Sequence, residues 1–497
     1  MQEGRLSALA RTPRQRAAAF ESLGVMHHVQ GQRTQAAEAV ARGLQALSEG
    51  DASGAGAEGS EGAADHLRAH VSLLNLQGIV LRHAGQHAQA RQALEQALAL
   101  ARPNLQRAGP PLAKRARPSA RRVGPGQAAG VEAHAGADEK PNPPPAPPPF
   151  LQPNPAPHID LPAVLNNLAL VLQDLDDHLG ASALLHESAA LQPDPLVRAR
   201  VLNNLGISLE ERGQVAQAYE QRLAGARLCA AAQSAGTADL VLAVSLGANA
   251  RNLGHFRDAL MHFAQAQQLA ARIRHWREED LHRQFAMLWL ELGRINQARQ
   301  SLAQAEQACG ADAKPSVSAL ILQARCLMAV GQDARAVLDA AERAAHGAGD
   351  HRKLLRRLMV CQAQVLPAQQ ASQRIGLMLS SPELSDNLGA AIPLQVRWAQ
   401  ALLVLGDTAH AVQHAQRAAA ALGAALPMEM SCAEVWLTLA QALQAHGHRP
   451  LAENALRAGQ QWLQQIAQQH LDEPYRDGYL RRNPVNAELL RLAAGLA

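Results

Sequence analysis

The stretch PAVLNNLALVLQDLDDHLGASALLHESAALQPDP, residues 162–195, decides the fold of this chain. Small and apolar residues recur in it at the spacings of a helix–turn–helix unit of about 34 residues. Ala169 is small enough for a second helix to approach the first closely, and Ala181 lies where the second helix crosses back. Pro193 then stops that helix. The stretch therefore predicts a pair of antiparallel helices.

The same pattern returns along the chain, so the unit is a repeat. The phrase LNNLA at 165–169 is followed, 37 residues later, by LNNLG at 202–206. A degenerate eighth unit is predicted at 352–384, because Pro367 stands there at the position of the turn. Looser matches extend the repeat over the approximate ranges 17–50, 71–104, 240–273, 279–312, 317–350, 392–425 and 433–466. Because each unit packs only on its neighbours, a stack of such units is not subject to the size limit that a single compact core would set on a chain of 497 residues.

This pattern resembles the tetratricopeptide repeat (TPR). The resemblance implies an all-α fold, a right-handed α-solenoid of TPR-like helix–turn–helix repeats in which the first helix of each unit lines a concave groove. The composition agrees, since hydrophobic residues make up 47% of the chain and aromatic residues only 3%. The apolar content is mainly alanine and leucine, which favour close-packed helices over sheets. We therefore expect almost no strand.

The pattern divides the chain into four segments. Residues 1–104 hold repeats 1 and 2, with an acidic Gly/Ala/Ser-rich loop at 48–66. Residues 105–160 are first basic and then proline-rich, and without apolar periodicity we expect a disordered linker. Residues 161–350 hold repeats 3–7. Residues 351–497 hold the degenerate repeat, repeats 9 and 10 and a C-terminal capping segment.

Several classes of protein are excluded by what the sequence lacks. A phosphate-binding P-loop needs lysine directly after glycine, and all four lysines follow Ala, Glu or Arg. Other catalytic motifs are also missing, so we expect no enzyme and no cofactor. No apolar run reaches the roughly 18 residues of a membrane helix, and the N-terminus lacks a secretory signal, so we expect a cytoplasmic protein. The net charge of +4 does not by itself indicate nucleic-acid binding.

Cysteine and histidine give no support for a metal site. The five cysteines are far apart and form no C-x-x-C pair, so we expect buried free thiols. His410 and His414 have the spacing of a two-histidine metal face on one helix. With no acidic residue or third ligand on that face, we expect a surface pair and no metal.

Asparagines on the predicted first helices are the candidate binding residues. A side-chain amide both donates and accepts, so it can hold the backbone of an extended peptide whatever its side chains. The LNNLA phrase is similar to one in kinesin light-chain-like repeats, where a first-helix asparagine contacts cargo peptide, and this resemblance implies Asn167 and Asn204. With their neighbours, the predicted partner-binding residues are Asn75, Asn166, Asn167, Arg200, Asn203 and Asn204. The alternative is that these asparagines merely bridge adjacent helices.

The predicted function is a non-enzymatic protein–protein interaction scaffold or adaptor. It would bind a peptide segment or helix of a partner protein in the concave groove. We do not expect a membrane partner, nor nucleic acid, because the basic stretch at 107–122 lacks interleaved aromatic residues. The sequence is compatible with a homo-oligomer.

The C-terminal tail suggests an alternative function. Its residues 475–480, 483–486 and 489–490 resemble the closing segment of helical-repeat arms in bacterial signalling ATPases and LuxR- or SARP-type regulators. The resemblance implies a regulatory or sensor arm whose catalytic and DNA-binding domains lie on another chain.

Overall fold

The structure of the chain is a computed structural model that describes residues 12–52, 60–108, 159–234, 236–273, 278–309, 315–347 and 352–495. These residues form 22 α-helices, a 3-10 turn at Pro382–Ser385 and a π-helical turn at Gly478–Arg482, and they contain no strand. The predicted all-α solenoid of TPR-like repeats is confirmed. None of the described helices has the length and apolar character that a bilayer span requires.

Twenty of the helices form ten successive pairs, which we number as units 1 to 10. The first helices are α1 (Pro13–Val29), α3 (Ser60–His83), α5 (Leu161–Asp174), α7 (Pro195–Glu211), α9 (Thr237–Asn252), α11 (Glu278–Glu291), α13 (Val317–Met328), α15 (Arg352–Gln362), α17 (Leu388–Val404) and α19 (Cys432–Ala445). The second helices are α2 (Arg33–Ala52), α4 (His87–Ala108), α6 (His178–Leu191), α8 (Val215–Ala231), α10 (Phe256–Arg272), α12 (Ile295–Cys309), α14 (Arg335–Gly347), α16 (Ala368–Leu379), α18 (Thr408–Ala421) and α20 (Arg449–Gln469). The tail adds α21 (Glu473–Asp477) and α22 (Pro484–Ala494).

Aspartates begin the helices of the stretch that decides the fold. The Asp177 carboxylate accepts a hydrogen bond from the backbone N–H of Gly180 at 2.8 Å and so caps α6. Asp194 caps α7 by accepting from the N–H groups of Leu196 and Val197 at 2.8 and 3.0 Å. These contacts satisfy backbone donors that the first turn of a helix leaves unpaired. The sequence Pro193-Asp194-Pro195 therefore ends one unit and starts the next.

A left-handed backbone residue makes the turn inside nearly every unit. It is glycine in eight units, with φ between 67° and 86°, and Asp176 with φ 70° in unit 3. Glycine adopts this conformation without steric penalty, and aspartate is among the few other residues that tolerate it. Unit 8 departs from the rule as its sequence predicts, since Pro367 stands directly before α16.

The first helices form the inner layer of the solenoid. Each first helix contacts the first helix of the next unit, from α1 through to α19. In a curved stack the elements on the inside lie closest together. The concave groove is therefore lined by the odd-numbered helices.

The solenoid closes on itself, because the C-terminal part packs against the turns of units 3 to 6. The backbone N–H of Leu426 donates to the carbonyl of Gly213 at 2.9 Å, and that of Arg257 donates to the carbonyl of His470 at 3.1 Å. The largest apolar core joins the same parts, since it contains Phe256 of unit 5 together with Tyr479 of the tail. We call this contact the closure.

Three local expectations need comment. Helices α2 and α3 extend into the predicted 48–66 loop, and only 53–59 of it lie outside the described residues. The unit predicted to end at about residue 104 extends to Ala108, and Pro103 lies inside its second helix, α4. The predicted linker at 105–160 lies mostly outside the described residues.

The structure corrects the expected exposure of one thiol and one imidazole. Cys309 is exposed, whereas the other four cysteines are buried free thiols as expected. His414 is buried, with its ring stacked on Trp398 at 3.9 Å between centroids, so the predicted surface pair is wrong.

Candidate functional site

Four of the predicted asparagines meet in the groove and bond to one another. The side-chain N–H of Asn167 donates to Asn75 Oδ1 at 2.9 Å, which joins α5 to α3. The side-chain N–H of Asn204 donates to Asn166 Oδ1 at 3.0 Å, which joins α7 to α5. Asn166 completes the row by donating to Asn167 at 3.4 Å. These four residues form what we call the amide ladder, across the first helices of units 2 to 4.

The ladder uses only part of its hydrogen-bonding capacity. All four side chains are half-buried, and each amide has two N–H donors and an oxygen with two lone pairs. Three ladder bonds take one donor from each of three residues and leave at least one donor on every amide. The interhelical bridging that the alternative interpretation predicted is therefore present, and the amides also retain groups for a ligand.

The other two predicted residues do not join the ladder. Asn203 is only 9% exposed, and its Oδ1 accepts a hydrogen bond at 3.2 Å from Nε of the buried Arg222 on α8. Arg222 reaches this position because Gly206 has no side chain, since a Cβ there would lie 2.6 Å from Nε of Arg222. Arg200 is exposed, one helical turn before Asn203. Asn203 is thus a structural residue that holds the second helix of its unit.

A second polar region lies further along the groove and consists of two adjoining cavities. Their volumes are about 280 and 230 Å³, and residues of α7, α9, α11, α13 and α15 line them. The loop 422–431, between α18 and α19, reaches this place and contributes Glu429 to both cavities. We call the two cavities together the central cleft.

Basic side chains predominate in the lining of the central cleft. They outnumber the acidic ones by six to three. The basic residues are Arg222, Arg251, Arg283, Arg325, Lys353 and Arg357, and the acidic ones are Glu210, Asp280 and Glu429. Four of the basic groups form ion pairs within the chain, Arg222 with Glu210, Arg251 with Glu291, Arg283 with Asp280 and Lys353 with Glu211, so the least compensated charges are those of Arg325 and Arg357.

Glu429 is the acidic group at the centre of this charge cluster. Its carboxylate lies 3.3 Å from Nε of Arg357, and its side chain is 18% exposed. Burial alone would raise the pKa of Glu429, but Arg357, Arg325 and Arg251 outweigh burial and lower it. Glu429 is therefore ionised at neutral pH.

Two other arginines of the cleft differ in their partners. Arg251 is buried, lies 3.3 Å from a carboxylate oxygen of Glu291 and donates to Gln284 at 3.0 Å. Arg325 has no direct hydrogen-bond or ion-pair partner within the described part of the chain, although it lines the cavity beside Glu429. Arg325 is half-buried, and although burial alone would lower its pKa, Cys361, Glu429, Glu291 and Glu434 together raise it.

The sequence analysis did not identify the central cleft. Five of its six basic residues lie on four different first helices and Arg222 lies on the second helix α8, so a short-range motif does not connect them. The one available signal was the presence of an arginine on each predicted first helix of units 5 to 8, at Arg251, Arg283, Arg325 and Arg357. Among the described residues, no cluster of three or more His, Cys, Asp or Glu side chains is placed to hold a metal ion.

Comparisons with known proteins give little similarity in sequence. No protein-family model matches the chain, and no curated protein matches it. A solved structure of Rap protein complexed with competence and sporulation factor is 14% identical, with a TM-score of 0.41, and the match covers 67% of this chain and 97% of that one. An IFIT1 monomeric mutant with Gppp-AAAA is 12% identical with a TM-score of 0.35, and the match covers 97% and 90%.

A third solved structure is a tetratricopeptide repeat protein from Parabacteroides merdae. It is 12% identical with a TM-score of 0.26, and the match covers 64% of this chain and 97% of that one. Similarity at this level assigns no ligand to the present chain.

Proposed function

We propose that this chain is a non-enzymatic protein-interaction scaffold that binds a peptide segment or helix of a partner protein in its concave groove. The observation that carries the proposal is the amide ladder, a continuous row of half-buried amides with unused donors and acceptors. Amides in such a row can bond the peptide groups of a ligand without selecting its side chains.

The size of the ladder limits the length of the ligand segment that it contacts. Packed helices lie about 8–10 Å apart, so three first helices span about 20 Å. An extended peptide rises about 3.3 Å per residue, so roughly six residues cover the ladder. A groove-bound segment of this length is what we expect the scaffold to hold.

The first testable prediction concerns the double variant Asn167→Ala, Asn204→Ala. The probe is a dodecapeptide selected on the wild-type protein from a random phage-displayed library and then synthesised with a fluorescent label. A peptide amide that enters the groove and loses its partner costs about 1–3 kcal/mol, so we expect the affinity to fall at least tenfold. Fluorescence anisotropy measures the Kd of both proteins.

The same variant also removes two interhelical bonds, so its stability must be measured separately. We expect a loss of about 0.5–1.5 kcal/mol for each bond, which leaves the protein folded at 25 °C. Asn454→Ala, on the exposed face of α20, is the matched control and should change neither property. Unchanged affinity in a folded double variant would refute binding at the ladder.

The alternative function, a regulatory arm of a signalling system, stays a prediction. In the structure the tail that suggested it has a packing role within the chain. The side-chain N–H of Asn483 donates to the backbone carbonyl of Glu291 at 3.0 Å, and that of Asn486 donates to the carbonyl of Tyr479 at 2.9 Å. These contacts give both asparagines a structural role within the chain.

A further inference from the structure

We propose that the central cleft is a second ligand site, which accepts an acidic side chain of a partner protein in place of the chain's own Glu429. The site belongs to units 4 to 8 and the loop 422–431, whereas the amide ladder belongs to units 2 to 4. The inference rests on the proposed function only in taking the ligand to be a protein segment.

The first argument is the charge of Arg325. Arg325 is half-buried and has no direct partner among the described residues, so its guanidinium keeps hydrogen-bond donors in the fork geometry that binds a carboxylate. Arg357 is also incompletely paired, since Glu429 lies at 3.3 Å from it and Glu211 at 4.0 Å. A second carboxylate, or a better placed one, would therefore be bound favourably between these two arginines.

The second argument is the backbone of the loop 422–431. Glu429 has φ 57°, a left-handed conformation that glutamate rarely adopts. The loop is fixed just before this point, because the N–H of Met428 donates to the carbonyl of Gly389 at 2.8 Å. The residue with the strained backbone is thus the one that carries the carboxylate, and rotation of its backbone out of the left-handed region would relieve the strain and move the carboxylate away from Arg357.

The third argument is the apolar part of the lining, which indicates the kind of segment that fits. Val244, Met287 and Ile321 line the cleft beside the arginines, and Met428 of the loop lines it as well. The loop thus places an acidic residue between methionines, in the sequence Pro427-Met428-Glu429-Met430, against a basic and apolar surface. The geometry favours a ligand of the same kind, one acidic residue between apolar residues.

The test uses the loop sequence itself as the probe. A fluorescein-labelled peptide AALPMEMS, which copies residues 424–431, is compared with a sibling peptide that has glutamine in place of glutamate. Glu429→Gln removes the internal competitor and keeps its volume, so we expect the variant to bind the acidic peptide at least tenfold more tightly than wild type. For the glutamine peptide, the affinity of the Glu429→Gln variant should exceed that of the wild-type protein by no more than twofold.

Arg325→Gln provides a second variant, whose fold does not depend on an ion pair of Arg325. We expect it to bind the acidic peptide at least tenfold more weakly than the wild-type protein. Arg343→Gln, on the exposed face of the neighbouring helix α14, is the matched control and should bind as wild type. The asparagine double variant should also bind this probe normally, so failure at one site is distinguishable from failure at the other.

Three results would overturn the proposal. The first is equal binding of the acidic and glutamine peptides by Glu429→Gln. The second is equal loss of binding in Arg325→Gln and Arg343→Gln. The third is displacement of the probe by a 5′-phosphorylated hexa-adenylate at lower concentration than by unlabelled peptide, which would assign the cleft to phosphate instead of carboxylate.

Discussion

The closure can be tested with one glycine from each of two neighbouring units. Gly293 in unit 6 and Gly331 in unit 7 make equivalent turns, with φ 67° and 71°. A Cβ on Gly293 would lie 2.3 Å from the carbonyl oxygen of Gly478 and 2.8 Å from the backbone nitrogen of Asn483. A Cβ on Gly331 would meet no described atom within 4 Å. The two positions therefore differ only in the packing of the tail.

Replacement by alanine separates the backbone effect from the packing effect. A left-handed conformation costs an L-residue about 1–2 kcal/mol, and Gly331→Ala should lose about that much stability. Gly293→Ala carries the same penalty and must also push backbone atoms of the tail away. Overpacking of this kind costs about 1–3 kcal/mol, so the total loss should be about 2–5 kcal/mol.

Two measurements check this expectation. Urea denaturation gives the free energy of unfolding of each variant and of wild type. Hydrogen exchange followed by mass spectrometry should show faster exchange in residues 478–494 of Gly293→Ala alone, because the displaced tail loses protection. Equal destabilisation by the two substitutions, with no change of exchange in the tail, would refute the closure.

The remaining predictions concern pH and thiol reactivity. Burial, followed by the charges of Arg417 and His410, lowers the pKa of His414 to about 4 from 6.5. A histidine with a lowered pKa in the folded state contributes stability that is complete above pH 6.5 and is lost as the pH falls towards 4, a difference of about 3 kcal/mol. His414→Gln should therefore flatten the fall in unfolding free energy between these pH values, while the exposed-site control His186→Gln should follow wild type. Ellman's reagent should modify one thiol, Cys309, in the native protein, and the four buried cysteines should react only after unfolding in guanidinium.

The sequence was sufficient to predict the units but not their arrangement in space. Glycine at the turn and small residues at the crossing of two helices are short-range signals, and each unit contains enough of them to be recognised. Asp176 shows that even an absent glycine can be tolerated, since aspartate also adopts the left-handed conformation. Closure depends on the small rotation between successive units, which accumulates over the chain and has no local signature.

In the candidate site, too, the contacts that repeat from unit to unit were predictable from the sequence, and the contacts that depend on closure were not. Asn166 and Asn204 meet because they occupy equivalent positions in adjacent units, and the repeated phrase predicts this. Asn203 could have been assigned to the helix interface, since it precedes Gly206 by three residues and so shares its face. The contact between Arg357 and Glu429 joins unit 8 to the loop between units 9 and 10, and repeat spacing does not predict such a contact.

Closure also fixes the number of units between the two parts of the chain that it joins. A linear array of repeats gains or loses a unit with little effect elsewhere, because each unit contacts only its neighbours. Here the turns of units 3 to 6 pack against elements that come about five units later. Asp176 in the turn of unit 3, for example, accepts a hydrogen bond from Arg356 in unit 8. Insertion or deletion of one unit between them would place every later unit against the wrong turn. Evolution by duplication of single repeats is therefore restricted to units 1 and 2, outside the closed part of the solenoid.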